Sequence, residues 1–264
     1  MAESNPHSGF ASGPTDVAGR GPAGPGPWAR FYLALGLSPR AFQLPFRRAD
    51  WLIPLMLVLA CTITSTVILR DLFIATQLEQ AKGQIESNER LSAEQRDEAI
   101  ERLTTGPAAG AMRWGPVIGA AVVLPVAALL AALLLMLILN FGMGGQVAFA
   151  RLWFLTVLSF APKAIGSILF TALGLARSTV DISFGPAAFL SDDALAMKTF
   201  LRVFDLFEIW VFALQMIGIA IVTGLPVRKA RTAVVILWVI YLIFMALSGL
   251  ATGCMSGGGM SARG

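Results

Sequence analysis

The feature that most constrains this chain is a run of apolar residues, 116–141, that contains no charged side chain. At a rise of about 1.5 Å per residue, a helix of this length crosses the roughly 30 Å hydrocarbon core of a bilayer. Four further segments have the same character, at about 51–69, 152–173, 206–225 and 233–250. The sequence therefore predicts an all-α, polytopic membrane protein with a bundle of five transmembrane helices.

Composition supports this prediction, because 56% of the residues are hydrophobic and only 14% are charged. Soluble domains carry about a quarter charged residues, so this chain has too little polar surface for a water-soluble globule. The formal net charge is +4, but the basic residues flank the apolar runs instead of forming one patch. Basic flanks are typical of membrane orientation signals, and we therefore exclude nucleic acid as a partner.

The apolar runs define a membrane domain over residues 49–250, with a tail on each side. Residues 1–27 are rich in Gly, Pro and Ala, which predicts a disordered cytoplasmic tail. Residues 251–264 are rich in Gly and predict a flexible tail. Within the domain, residues 71–113 form a polar loop, for which we predict one or two surface helices and an extracytoplasmic position.

Local patterns in the polar loop support the helical prediction. Ser92 and Gln95 have the spacing of a capping box, in which each side chain bonds the other residue's backbone N–H. Glu98 and Arg102 are spaced i, i+4 in the order that favours an ion pair on a helix. We therefore predict a solvated helical loop without chemistry of its own.

The segment before the first span, residues 28–48, is amphipathic. Its first aromatic and apolar residues follow a helical period at i, i+3, i+4 and i+7, and arginines are interspersed among them. Such segments lie in the membrane interface, and the alternative is a helix that binds a partner protein. The candidate residues for either role are Trp28, Phe31, Tyr32, Arg40 and Phe42.

Charge in the short loops predicts the orientation of the bundle. The connection between the fourth and fifth spans holds Arg228, Lys229 and Arg231, and short basic loops remain in the cytoplasm. Counting back through five spans places the N-terminus in the cytoplasm as well. The C-terminus is then extracytoplasmic.

Two ionisable residues in the spans are candidates for function. Lys163 follows Pro162 inside the third span, and Glu208 lies near the start of the fourth, with Asp205 one turn before it. A charge at membrane depth is costly unless it is paired, so Glu208 is the expected partner of Lys163. The pair could fix the register of two helices, or it could act as a proton or ion relay.

The sequence does not predict an enzyme. The single histidine, His7, lies in the N-terminal tail, and the cysteines Cys61 and Cys254 are far apart. No pairing of a nucleophile with a base is present, and no spacing of residues indicates a metal or cofactor site. The glycine-rich stretch 140–146 lacks the residues of a phosphate-binding loop, so we interpret it as a chain reversal.

Several short motifs together resemble the Yip1 family. In chain order they are Leu37-Ser38-Pro39-Arg40-Ala41-Phe42 before Trp51 and Pro54, Gly144-Gly145-Gln146-Val147-Ala148-Phe149, Ser159-Phe160-Ala161-Pro162, Phe207-Glu208-Ile209-Trp210 with Gly218-Ile219, and Lys229-Ala230 before Trp238. The resemblance covers roughly residues 37–250 and implies a five-helix bundle with a cytoplasmic N-terminus. Eukaryotic relatives are associated with Rab GTPases, but the N-terminal region of this chain shows no matching partner-binding motif.

These observations favour a non-enzymatic membrane scaffold that binds a partner or shapes the bilayer. The alternative is a small-solute or ion transporter that uses Lys163 and Glu208. We expect the lipid bilayer as one partner and a membrane or cytoplasmic protein as another. A second copy of the chain is a further candidate. From the resemblance, we expect the inner membrane of a bacterium.

Overall fold

The computed structural model describes residues 25–86, 91–105, 107–190 and 195–257. Most of the N-terminal tail and residues 258–264 of the C-terminal tail therefore lie outside the described residues. The described residues are mostly helical and include no strand, which confirms the predicted all-α fold. Its helices are α1 Pro27–Leu35, α2 Arg48–Ile68, α3 Arg70–Glu86, α4 Ala93–Thr105, α5 Pro107–Leu137, α6 Phe149–Ser159, α7 Ala161–Arg177, α8 Leu195–Leu201, α9 Leu206–Thr223 and α10 Val227–Gly257.

Five helical segments are long and apolar enough to cross a bilayer. Because a membrane-spanning helix satisfies its backbone hydrogen bonds internally, such segments need no partner strand in lipid. They are Arg48–Ile68, Gly110–Gly142, Phe149–Arg177, Leu206–Thr223 and Val227–Ser248.

Several helices are longer than the apolar runs suggested. Helix α5 begins at Pro107, and α10 begins at Val227. Helix α10 also continues to Gly257, so the expected flexible tail from residue 251 is helical in its first part. Polar residues at the ends of these helices remain helical because a helix needs apolar side chains only where it crosses the hydrocarbon core.

The third span is broken into two helices. The sequence places Pro162 inside this span, and in the structure α6 ends at Ser159 and α7 begins at Ala161. Pro162 lies in the first turn of α7, where its missing N–H costs little. The proline therefore disturbs the turn before it, and the helix breaks at Phe160.

The polar loop forms a helical arm. Helix α3 follows α2 after one residue, Leu69. The capping box of α4 is confirmed, because Ser92 N donates to Gln95 Oε1 at 3.0 Å and Gln95 N donates to Ser92 Oγ at 3.3 Å. The Glu98–Arg102 ion pair is also confirmed, at 2.6 Å. Helices α3 and α4 both pack against α5.

Helix α6 lies at the centre of the bundle, and most of its residues are buried. It packs against α2, α5 and α9. Helix α9 runs antiparallel to it, and the close approach depends on Gly218. A Cβ atom at Gly218 would lie 2.6 Å from Leu155 Cδ1 and 2.7 Å from Phe42 Cδ1. Phe42 therefore joins the lead-in segment, residues 27–48, to the centre of the bundle.

Gly218→Ala is expected to lower the free energy of unfolding by about 1–3 kcal/mol, because the added methyl overpacks the contact with Leu155 and Phe42. Gly119→Ala is the matched control, since a Cβ there has no atom within 4 Å. The control should be neutral or slightly stabilising, because alanine favours a helix. Thermal unfolding of the purified protein in detergent measures both. Equal behaviour of the two variants would contradict the packing role of Gly218.

Candidate functional site

The lead-in segment is organised around one buried arginine. The side chain of Arg30, in α1, is fully buried. Its Nε donates to the Pro25 carbonyl at 2.9 Å, and its Nη2 donates to the Pro45 carbonyl at 2.7 Å. Its Nη1 donates to the carbonyls of Ala41 at 2.8 Å and Gln43 at 2.7 Å. One guanidinium group therefore holds a carbonyl oxygen that precedes α1 and three that lie between α1 and α2.

The charge of Arg30 is balanced by Asp50, in the first turn of α2. Asp50 Oδ2 lies 3.4 Å from Arg30 Nε and accepts a 2.7 Å hydrogen bond from Arg47 N. The guanidinium also lies over the ring of Phe154, 5.3 Å from its centroid. Burial lowers the pKa of Arg30 and the charge of Asp50 partly offsets this, but an arginine stays protonated. We call Arg30, Asp50 and the four carbonyls the lead-in clamp.

The clamp divides the predicted interfacial residues into two groups. Trp28 and Tyr32 are 54% and 68% exposed, and Arg40 is exposed as well. Phe31 and Phe42 are 6% and 0% exposed, so they belong to the core and not to a partner surface. Helical spacing did not distinguish the two groups, because aromatic residues suit both a membrane interface and a core. We call Trp28, Tyr32 and Arg40 the exposed lead-in face.

Lys163 and Glu208 form an ion pair between α7 and α9. About a quarter of each side chain is exposed, 26% for Lys163 and 24% for Glu208. Because Glu208 lies in the first turn of α9, the pair is at one end of that span and not at its middle. The ammonium group of Lys163 also lies 5.3 Å from the centroid of the Phe160 ring, at the helix break.

Asp205 has a different role from the one predicted. Its Oδ1 accepts a 3.0 Å hydrogen bond from Phe207 N and caps α9. Its Oδ2 accepts a 2.8 Å hydrogen bond from Phe184 N in the preceding loop. Asp205 therefore fixes the start of the helix that carries Glu208, and these contacts do not include Lys163.

Hydroxyl groups between α2 and α7 were not among the predicted site residues. Thr62 Oγ1 lies 3.2 Å from Ser167 Oγ, and Thr171 Oγ1 donates to Ser65 Oγ at 2.7 Å. Hydrogen bonds of this kind between helices stabilise packing in membranes. The signal in the sequence was the i, i+4 spacing of Lys163, Ser167 and Thr171, which places them on one face of α7.

A second charge cluster lies in the loop between α7 and α9. Asp181 pairs with Lys198 and, at 2.7 Å, with Arg202. Burial alone would raise the pKa of Asp181, but the hydrogen bonds and charges of Lys198 and Arg202 lower it below its usual range. The loop carboxylate is therefore ionised at neutral pH, and the cluster ties the loop to the short helix α8.

The glycine-rich turn after α5 is closed by its own side chains. Asn140 Nδ2 donates to the Val147 carbonyl at 3.1 Å, and Val147 N donates to Asn140 Oδ1 at 2.8 Å. Gly144 has a φ of 66°, and a Cβ at Gly145 would lie 2.9 Å from the Leu139 carbonyl oxygen. The glycines are thus explained by the tight chain reversal between α5 and α6.

Five apolar spans, a broken third span and a clamped lead-in define an all-α, multi-pass membrane protein. A family model, the Yip1 domain, matches residues 33–249, and the chain belongs to this family. The match includes most of the lead-in segment, all five spans and the polar arm. Yip1 proteins are membrane proteins that are not known as enzymes. The chain matches no curated protein and no solved structure.

Proposed function

We propose that this protein is a non-enzymatic membrane scaffold that presents its exposed lead-in face to a partner protein on the cytoplasmic side. The observation that carries the proposal is the lead-in clamp. Through Arg30 it fixes α1 to the start of α2, and it leaves Trp28, Tyr32 and Arg40 exposed. Exposed aromatic and arginine side chains held on a rigid support are typical of binding hot spots.

The proposal includes a location and an orientation. The basic residues Arg228, Lys229 and Arg231 begin α10 at the same end of the bundle as the lead-in segment. Basic residues at one end favour a cytoplasmic position of that end and of the N-terminus. We propose the inner membrane of a bacterium as the site of action, with a protein partner that approaches from the cytoplasm.

Site-specific photo-crosslinking in native membranes tests the scaffold. A photoreactive amino acid at position 28 or 32 should yield a reproducible protein crosslink, reduced at least about fivefold by Arg40→Gln when the partner recognises that arginine. The control carries the photoreactive group at Trp114, which is 51% exposed in α5 towards the opposite end of the bundle. Crosslinks to lipid alone at positions 28 and 32 would overturn the partner role.

One observation favours the transporter as a second candidate. The one-residue interruption of the third span at Phe160 lies beside the partly exposed Lys163–Glu208 pair, and interrupted helices also occur at the binding sites of transporters. A transporter would lose solute or ion flux when the pair is replaced by neutral residues, whereas a scaffold would keep its crosslinks. The same pair of substitutions therefore separates the two functions.

A further inference from the structure

The end of the bundle that carries the lead-in segment is strongly basic. In the described residues, segments 25–50, 138–151 and 223–232 form this end and contain a single acidic residue, Asp50, which the clamp neutralises. Their basic residues are Arg30, Arg40, Arg47, Arg48, Arg151, Arg228, Lys229 and Arg231. An excess of unneutralised positive charge at a membrane surface attracts anionic lipid.

Part of this charge borders a groove at the start of α10. The groove is shallow and open, has a volume of about 550 Å³, and is lined by residues of α10 alone: Val227, Arg228, Arg231, Thr232 and Val235. Positions 228, 231, 232 and 235 are spaced i, i+3, i+4 and i+7, so they share one face of the helix. The groove is therefore basic near the start of α10, at Arg228 and Arg231, and apolar one turn further along the helix, at Val235.

Arg231 is held in this groove by the neighbouring helix. Its Nε donates a long hydrogen bond, 3.4 Å, to the Met216 carbonyl of α9. This contact uses one of the five N–H donors of the guanidinium. The side chain of Arg231 is thus exposed and directed towards α9, and Arg228, one turn earlier on α10, is exposed as well.

The helix surface beyond the arginines is apolar and exposed. Val235, Val239 and Ile243 are spaced i, i+4 and i+8 along α10 and are 43%, 47% and 55% exposed. Val235 and Ile243 lie about 12 Å apart along the helix axis, close to the roughly 15 Å depth of one hydrocarbon leaflet. An acyl chain that begins at the arginines would follow this strip.

We propose that the α10 groove is a binding site for one anionic phospholipid. The headgroup phosphate binds Arg228 and Arg231, and one acyl chain lies along Val235, Val239 and Ile243. Charge complementarity and the change from basic to apolar lining both fit this occupant. The site is separate from the exposed lead-in face, so the proposal holds whether or not that face binds a protein.

The test uses full-length protein in phosphatidylcholine vesicles that contain a trace of a lipid with a photoreactive acyl chain. The probe is phosphatidylglycerol in one arm and phosphatidylcholine in the other. Labelled residues are mapped by mass spectrometry. Phosphatidylglycerol should label α10 around Val235–Ile243 at least about fivefold more strongly than phosphatidylcholine, as attraction by the two arginines requires.

Two double variants separate a specific site from general surface charge. Arg228→Gln with Arg231→Gln should reduce labelling by phosphatidylglycerol to the level of phosphatidylcholine. Arg48→Gln with Arg151→Gln removes the same charge from the same end of the bundle, outside the groove, and should leave the preference unchanged. Arg228→Gln alone keeps the hydrogen bond of Arg231 to Met216, and should lower the preference without disturbing the α9–α10 contact.

Three results would overturn the proposal. Equal labelling by the two lipids would show that the groove does not select an anion. Equal loss in both double variants would assign the preference to overall charge. Displacement of the lipid by millimolar inorganic phosphate would show a phosphate site that does not need the acyl chain.

Discussion

Arg30→Ala is expected to lower the free energy of unfolding of the lead-in segment by about 3–5 kcal/mol, because it leaves a buried carboxylate without its partner. Asp50 is 3% exposed, and the carbonyls of Pro25, Ala41, Gln43 and Pro45 lose their donors in the same change. The segment should detach from the bundle before the spans separate. Limited trypsin digestion at Arg40, Arg47 and Arg48 measures detachment, and thermal unfolding in detergent measures the whole bundle.

The chemistry of the clamp makes related variants informative. Arg30→Lys should recover only part of the stability, because one ammonium group cannot match the planar fork that reaches four carbonyls. Arg30→Met with Asp50→Asn should be less damaging than Arg30→Met alone, since no buried charge remains unpaired. Arg151→Ala is the control, because that arginine is exposed near the start of α6 and is not one of the three cleavage sites that are measured. If Arg30→Ala and Arg151→Ala were equally susceptible to trypsin, the clamp would not hold the segment.

The sequence predicted those parts of the fold that depend on local patterns. The five spans are visible because crossing a bilayer requires continuous apolar residues, and the Ser92–Gln95 cap is visible because its partners are three residues apart. Lys163 and Glu208 could be considered together because charges within apolar spans are few. Each of these features has a signature in residue type and spacing.

The role of Arg30 had no such signature. Its partners are mainly backbone carbonyls, which every residue has, so the sequence does not distinguish Arg30 from the exposed Arg40. Phe31 and Phe42 were likewise grouped with Trp28 and Tyr32, because residue type does not reveal which side of the lead-in segment faces the bundle. These choices depend on packing against α6 and α9, where Gly218 accommodates the ring of Phe42.

The clamp and the Lys163–Glu208 pair lie towards opposite ends of α9, which relates the two proposed functions. Phe42 contacts α9 at Gly218, whereas Glu208 lies in the first turn of the helix. A displacement of α9 would therefore affect both regions, but a change confined to the ion pair need not alter the exposed lead-in face. For this reason, substitutions of the pair test the transporter without removing the surface that the scaffold uses.

Lys163→Met is expected to lower the free energy of unfolding by about 1–3 kcal/mol, because it leaves the Glu208 carboxylate unpaired at the end of a membrane helix. The loss should be smaller than for a fully buried pair, since about a quarter of each side chain is exposed. The double variant, Lys163→Met with Glu208→Gln, removes both charges and should recover at least about 1 kcal/mol relative to the single variant. Thermal unfolding in detergent of Lys163→Met, Glu208→Gln and the double variant gives the coupling free energy between the two charges.

The double variant also decides the function of the pair, because it removes the charges with the least damage to the fold. If the protein is a scaffold, the folded double variant should retain the crosslinks from positions 28 and 32 at the level of the unmodified protein. A folded double variant that kept those crosslinks but lost ion or solute flux in proteoliposomes would assign the pair to transport. If instead the double variant were no more stable than Lys163→Met, the two charges would not be coupled. The pair would then neither fix the helix register nor act as a relay.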